Sequence, residues 1–285
     1  FHLETRADEA GAVDARVDVD TATRDVTFSM ASRLSPASAI PWLGTNAPAW
    51  LAQLACQTPP HLEASGRLVL PEWTRSGLDW RRTVLPTVEA AAHLELGESS
   101  FRGVSVQSLL SSLALTNRHL QVQDLTLTRL EGGLTAAAGW DLETQEFRAD
   151  LRSQVDLCAA KAFFEQPKAR RAFDLVQWTN PPHVQLQVRG NFKDWSRLAG
   201  SGDLALTNFT VNGEFANDCL ARVVYTNRLL TILSPQVRRG DEGATADRLV
   251  FDLQPDHETL LITNAQGDLN PYALLRAINT NTARI

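Results

Sequence analysis

The stretch VEAAAHLEL, residues 88–96, decides the fold class, because its apolar residues fall on every second position. Alternation with period two is typical of a β-strand with one apolar and one polar face. The same alternation recurs at residues 26–30, 147–155 and 184–188. The sequence therefore predicts a mainly β protein with short helices, in which each strand presents one apolar face.

The apolar phase slips by one residue at two places along the chain. Leu120 and Val122 are followed by Leu125 and Leu127. In the same way, Leu204 and Leu206 are followed by Phe209 and Val211. A tight turn or a β-bulge, at Gln123-Asp124 and at Thr207-Asn208, would keep both halves of each run on one face.

An internal repeat becomes visible when the chain is compared with itself at an offset of 110 residues. Residues 94–103 align with 204–213, Thr116-Asn117-Arg118 aligns with Thr226-Asn227-Arg228, and residues 129–131 align with 239–241. This constant offset predicts that the two stretches have the same local structure.

A second offset, of 121 to 122 residues, links the beginning of the chain to its middle. Val19-Asp20 aligns with Trp140-Asp141, and Pro59-Pro60-His61 aligns with Pro181-Pro182-His183. Together the offsets predict a repeat of about 110–122 residues. The expected division is the end of a first unit at 1–73, a complete unit at 74–195 and a truncated following unit at 196–285.

Short helices are predicted at equivalent places in these units, over residues 48–56, 167–178 and 271–278. Each begins at a proline, which suits the first turn of a helix because that position needs no N–H donor. In the third, Asp268 or Asn270 is the expected N-cap. The first two carry a narrow apolar stripe that could pack on a sheet.

Composition excludes several classes of function. The net charge of −6 disfavours nucleic acid as a partner, since phosphates favour a basic surface. Cys56, Cys158 and Cys219 are far apart, with no CxxC motif, so we expect buried thiols and neither zinc nor redox chemistry. No run is long and apolar enough for a membrane helix, although both ends of the sequence look cut from a longer chain.

Catalytic motifs are absent from the sequence, so we expect no enzyme, no cofactor and no metal. HExxH, GxSxG, P-loop and GxGxxG patterns do not occur. His61 and His183 hold the same repeat position after Pro-Pro, which favours a structural role. Carboxylates such as Asp141 and Asp156 fall where capping or solvation accounts for them.

Seven tryptophans leave an alternative open, because aromatic rows on β-solenoids can bind sugars. Packing of helices against the sheet is the simpler interpretation. Three functions therefore remain: a lipid-binding surface, a structural or adhesive scaffold whose helices cover the apolar face, and a β-solenoid that binds or cleaves carbohydrate.

Two segments resemble AsmA-like proteins of Gram-negative envelopes. One is Gly133-Leu-Thr-Ala-Ala-Ala-Gly-Trp-Asp-Leu-Glu-Thr144, followed by a strand, Gln154-Val155-Asp156-Leu157 and a small helix. The other is the run from Gln266 to Leu275. The resemblance implies a periplasmic β-repeat protein, anchored to the inner membrane by a segment outside this sequence.

That family implies a curled antiparallel sheet of repeated units, which forms a long apolar groove and does not close completely. Such a groove is expected to carry phospholipid between membranes or to support outer-membrane assembly. The expected partners are phospholipids or other acyl-chain ligands, and outer- or inner-membrane proteins. The strand phase supplies the candidate lining residues of the groove. They are Val88, Leu94, Leu96, Leu120, Val122, Leu125, Leu127, Phe147, Leu151, Leu204, Leu206, Phe209, Val211, Phe251 and Ile262.

Overall fold

A computed structural model describes residues 2–7, 11–43, 49–72, 79–163, 174, 176–254 and 257–278. The chain is mainly β, with 66% strand and 11% helix, and its large antiparallel sheet is not closed into a barrel. The predicted fold class is therefore confirmed at this level. Two compact units divide the chain: unit 1 comprises residues 1–130 and 135–147, and unit 2 comprises residues 131–134 and 148–285.

The described strands up to β12 are β1 His2–Ala7, β2 Gly11–Val19, β3 Asp25–Ser32, β4 Leu54–Cys56, β5 His61–Val69, β6 Glu89–Leu96, β7 Ser99–Phe101, β8 Val104–Val106, β9 Ser108–Thr116, β10 His119–Arg129, β11 Gly132–Asp141 and β12 Glu146–Ser153. The helices in this part are α1 Pro36–Leu43 and α2 Trp80–Thr83. Turns of 3₁₀ helix lie at Ala49–Gln53, Leu85–Thr87 and Leu157–Phe163.

The remaining strands are β13 Val176–Trp178, β14 His183–Asn191, β15 Asp194–Val211, β16 Glu214–Thr226, β17 Leu229–Arg239, β18 Glu242–Thr245, β19 Arg248–Gln254, β20 His257–Thr263 and β21 Gln266–Gly267. One helix, α3 Pro271–Ile278, follows them.

Unit 1 contains a sheet in which β1, β2, β3, β5, β6, β9 and β10 pair antiparallel in that order. A small separate sheet joins β4, β7 and β8. In unit 2 the antiparallel order is β14, β15, β16, β17, β19 and β20. Strand β12 pairs with the free side of β14, and β13 pairs with the end of β15.

Hairpin turns recur at the offset of 110 residues. Asn117 and Arg118 join β9 to β10 with φ of 47° and 67°, and Asn227 and Arg228 join β16 to β17 with φ of 51° and 63°. Two successive positive φ values are what a tight two-residue hairpin needs. The repeated sequence therefore encodes the same turn twice. The boundaries of the sequence repeat stay a prediction, because the two compact units are defined by contacts within the fold and not by the repeat.

A second kind of turn recurs at the offset of 121 residues. The Oδ1 atom of Asp20 accepts hydrogen bonds from the backbone N–H groups of Ala22 and Thr23, and Oδ1 of Asp141 does so from Glu143 and Thr144. These backbone donors hold the pKa of both carboxyls below its usual value. The carboxylates of this motif are accounted for by turn formation.

The bulge predicted at Gln123-Asp124 is confirmed. Asp124 has φ of 51°, and the register with β9 shifts between Gln123 and Thr126. In β15, Asn208 has φ of 48° at the point where the partner strand changes from β14 to β13. In both places the left-handed residue returns the apolar side chains to one face.

The helix predictions were partly wrong. Residues 54–56 and 176–178 form β4 and β13, because their half-buried residues alternate and pair with β7 and β15. Residue 48 and residues 167–173 and 175 lie outside the described residues. The third helix is confirmed as α3, and Asn270 is its N-cap, accepting a 2.9 Å hydrogen bond from the N–H of Tyr272.

Candidate functional site

The candidate site in unit 1 is one face of its sheet, which we call apolar face 1. Directly opposed residues of antiparallel strands point to the same side, so the register identifies its members. They are Val13, Ala15, Val17, Val19, Val26, Phe28, Met30, Ser32, Leu62, Ala64, Gly66, Leu68, Ala90, Ala92, Leu94, Leu96, Leu109, Ser111, Leu113, Leu115, Leu120, Val122, Leu125 and Leu127.

Apolar face 1 contains no charged side chain, and most of its members are half-buried. Only Val26 and Ser111 are buried, at 8% and 4% exposure, and Val19 is exposed. Residues beneath a packed second layer are normally buried, so this pattern is that of a face in partial contact with solvent. The ring of Phe28 lies over Gly66, where an added Cβ would come within 2.8 Å of it.

Unit 2 has an equivalent face, which we call apolar face 2. The register of β14 through β20 identifies the following eighteen members, none of which is charged. They are Val184, Leu186, Val188, Gly200, Gly202, Leu204, Leu206, Cys219, Ala221, Val223, Tyr225, Leu230, Ile232, Val237, Leu249, Phe251, Leu260 and Ile262.

One end of apolar face 2 is closed by the protein's own side chains. Leu206, Phe209 and Ala216 are buried together at 9%, 4% and 8% exposure. The half-buried residues packed against them are Val176, Trp178, Leu204, Val211, Cys219 and Val237. Trp178 is held there because its Nε1–H donates a 2.7 Å hydrogen bond to Oδ1 of Asp156.

Twelve of the fifteen predicted lining residues belong to these two faces or to the closed end of apolar face 2. Leu94, Leu96, Leu120, Val122, Leu125 and Leu127 lie on apolar face 1. Leu204, Leu206, Phe251 and Ile262 lie on apolar face 2, and Phe209 and Val211 belong to its closed end. Phe147 and Leu151 occupy the half-buried phase of β12, and half-buried Val88 immediately precedes β6.

The opposite face of each unit is polar and carries an open concavity. The concavity in unit 1 has a volume of about 660 Å³ and is lined by residues such as Asp14, Arg16 and Glu63. In unit 2 the corresponding strands surround about 550 Å³, beside Arg148, Asp150 and Arg189. Cross-strand ion pairs belong to this side, including Arg67 with Glu89 at 2.8 Å.

A hydrogen-bonded histidine on the polar face of unit 1 was missed by sequence reasoning. Nδ1 of His93 lies 3.3 Å from Oγ of Ser112, and its Nε2 lies 3.2 Å from Oε1 of Glu95. Ser112 of β9 lies opposite His93 of β6, and Glu95 lies two residues after His93 on the same strand. Only the register of the strands shows that the three side chains share one face. All three residues also take part in the antiparallel pairing of β5, β6 and β9.

The structure assigns local roles to the other candidate groups. His61 and His183 each begin a strand after Pro-Pro, as predicted. The three cysteines are free, and burial raises the pKa of each thiol. Within the described part of the chain, no three metal-binding side chains converge, and no helix has the length and apolar character that crossing a bilayer would need.

Comparison with known proteins gives no match to any family model, to any curated protein or to any solved structure.

Proposed function

We propose that this protein is a non-enzymatic segment of a cell-envelope protein that binds or conducts phospholipid acyl chains along its apolar faces. The observation that carries the proposal is the half-buried state of apolar face 1, which extends over six paired strands, β2, β3, β5, β6, β9 and β10, without a charged residue. Monomers commonly expose contiguous apolar patches of no more than a few hundred Å². A half-buried face of six strands without a charged residue therefore favours an apolar occupant.

Acyl chains fit this surface because the hydrophobic effect has no direction. Burial contributes about 0.8 kcal/mol for each CH₂ group, so a chain can be held at many positions along the face. Such binding needs no specific polar contact and no indispensable residue. Movement from one position to the next would then cost little, which suits conduction as well as storage.

The resemblance of two segments to AsmA-like proteins supports the proposal of a periplasmic location. In that setting the protein supports outer-membrane biogenesis, an inner-membrane anchor lies outside the described sequence, and proteins of either membrane are its partners. This part of the proposal depends on the two segments from Gly133 to Thr144 and from Gln266 to Leu275.

The first experiment is to look for lipid in the purified protein. Native mass spectrometry should find co-purified phospholipid, and delipidated protein should take up a fluorescent phospholipid. Protein that is free of lipid and does not rebind it would contradict the proposal.

Variants on opposite sides of the same strands sharpen this experiment. Replacing Leu94, Leu113 and Val122 by Asn places polar groups on apolar face 1, and lipid uptake should fall several-fold. The matched control replaces their neighbours His93, Ser112 and Gln121 by Asn on the polar face, and uptake should not change. Circular dichroism verifies that both triple variants remain folded, and an equal loss in both would reject a face-specific site.

A scaffold is the second candidate, favoured by the buried cluster of Leu206, Phe209 and Ala216. In that case the protein's own side chains fill the apolar faces, and lipid would be absent from both units. The carbohydrate alternative requires a row of exposed tryptophans. Trp80 and Trp195 are exposed at 57% and 60%, but they belong to different units.

A further inference from the structure

The outer edge of β20 lacks the features that normally protect an edge strand. Among the described residues β20 pairs only with β19. Its segment Thr259-Leu-Leu-Ile-Thr263 contains no charge and no proline, and Leu261 and Ile262 are 56% and 40% exposed. Natural edge strands usually carry lysine, proline or a bulge, because an unprotected edge adds further strands.

The hydrogen-bonding groups that point outward from β20 follow from its register. The N–H of Leu253 donates a 3.0 Å hydrogen bond to the carbonyl of Arg228, so the odd-numbered residues of β19 face β17. The even-numbered residues of β19 therefore bond to Thr259, Leu261 and Thr263. Consequently the N–H and C=O groups of Leu260 and Ile262 point away from the sheet.

The equivalent strands elsewhere in the chain have a partner on this side. Strand β3 pairs with β5, and β12 pairs with β14. Both partners begin at the histidine of a Pro-Pro-His sequence, His61 and His183. Along the chain, short helical segments separate β3 from β5 and β12 from β14. Helix α3 follows β20 in the same way.

We propose that the free edge of β20 is a docking edge for a strand of the β5 and β14 type, which adds antiparallel to Leu260 and Ile262. End-to-end joining of two copies through β1 does not fit this order. At the offset of 121 residues β1 corresponds to β10. The side of β10 that corresponds to the unpaired side of β1 is paired with β9. Joining β20 to β1 would therefore omit the strands that follow β3 within a repeat.

The test adds a strand of the β14 type to the protein. The sequence His183–Asn191 is fused behind Ile285 through a flexible Gly/Ser linker of about 20 residues, whose mean span is roughly 25 Å. The control fusion carries the same nine residues in scrambled order. Hydrogen exchange at the amides of Leu260 and Ile262 should slow at least tenfold in the repeat fusion and not in the scrambled one.

Two exposed leucines provide the second comparison. Leu261→Lys places a charge on the docking edge, and in the repeat fusion it should abolish the protection. Leu220→Lys is the matched control, since Leu220 is 54% exposed on the same side of the sheet but lies in the interior strand β16. It should leave the protection intact.

Three results would overturn the proposal. One is equal exchange in the two fusions, and another is protection of Leu260 and Ile262 in the unfused protein at low concentration. The third is protection that appears only with a concentration-dependent dimer, which would assign the edge to a second copy. Lipid uptake is measured separately, so failure here leaves the proposed lipid function untouched.

Discussion

The short strands β4 in unit 1 and β13 in unit 2 make equivalent pairings, but their facing residues differ. Cys56 of β4 lies opposite Ser99 of β7, whereas Trp178 of β13 lies opposite Phe209 of β15. Offsets of 122 and 110 residues relate the two pairs, so the backbone is repeated while the side-chain volume is not. The larger pair fills the closed end of apolar face 2.

This difference indicates that the repeat specifies the sheet and that a few substitutions decide how much of its apolar face the protein covers. Phe209 is buried at 4%, and Asp156 anchors Trp178 by a hydrogen bond. The counterpart of Leu206 in unit 1 is Leu96, which is only half-buried. Unit 1 therefore offers the more continuous surface for an acyl chain.

The largest expected effect is on Phe209. Phe209→Ala should lower the free energy of unfolding of unit 2 by about 3–5 kcal/mol, because it leaves a cavity in a packed cluster. Urea unfolding followed by circular dichroism measures it. The matched control, Phe215→Ala, removes a ring that is 45% exposed and should cost less than about 1 kcal/mol.

A loss of similar size in both phenylalanine variants would mean that the closed end is not a specifically packed cluster. The contrast between the two units would then have no energetic basis.

Trp178→Phe tests the anchor of the closed end. The variant keeps most of the aromatic volume but removes the donor to Asp156, and the expected loss is about 1–2 kcal/mol. Trp195→Phe is the control at an exposed tryptophan. If both variants unfold at the same urea concentration, the hydrogen bond from Trp178 to Asp156 does not contribute to the free energy of unfolding of unit 2.

Glu214 tests a further stabilising contact of unit 2, since Nε of Arg276 in α3 lies 2.5 Å from its Oε1 and Arg239 lies 3.5 Å from its Oε2. The Arg276 hydrogen bond and charge hold the pKa of Glu214 below its ordinary value of 4.5. The stabilisation is therefore complete above pH 4.5 and is lost as the pH falls through the folded-state pKa.

The protection factors of the α3 amides, which are exchange rates corrected for the intrinsic pH dependence of amide exchange, should accordingly fall below pH 4.5 in the wild type. Glu214→Gln should show faster exchange already at neutral pH and little further change on acidification. A wild-type acid response that persists unchanged in Glu214→Gln would assign it to another group.

The smallest effect is expected at Ser99, the counterpart of Phe209 in unit 1. Ser99→Ala should change the free energy of unfolding by less than about 0.5 kcal/mol, because this half-buried residue does not belong to the buried cluster found among the described residues. A loss comparable to that of Phe209→Ala would show that unit 1 has an equivalent closed end.

The strand faces could be predicted from the sequence because alternation with period two is a local signal. The bulge at Asp124 was predictable for the same reason, since it shifts the phase within one run. The strands β4 and β13 were mistaken for helix, because three residues are too few to distinguish the two periods and a nearby proline suggested a helix start.

The closed end of apolar face 2 could not be predicted, since it depends on contacts between distant parts of the chain. The apolar phase gave Leu206 and Phe209 the same role as Leu94, although only the first two belong to the buried cluster against which Val176 and Trp178 of β13 pack. The trio of His93, Ser112 and Glu95 was likewise invisible without the register.

The most direct test of the apolar-face proposal uses two adjacent positions of β10. A photo-crosslinking amino acid replaces Val122 on apolar face 1 or its neighbour Gln121 on the polar face, and the protein is irradiated with phospholipid vesicles. If apolar face 1 binds acyl chains, we expect lipid adducts at position 122 and none at 121. Equal labelling of both positions, or labelling at 121 alone, would contradict it.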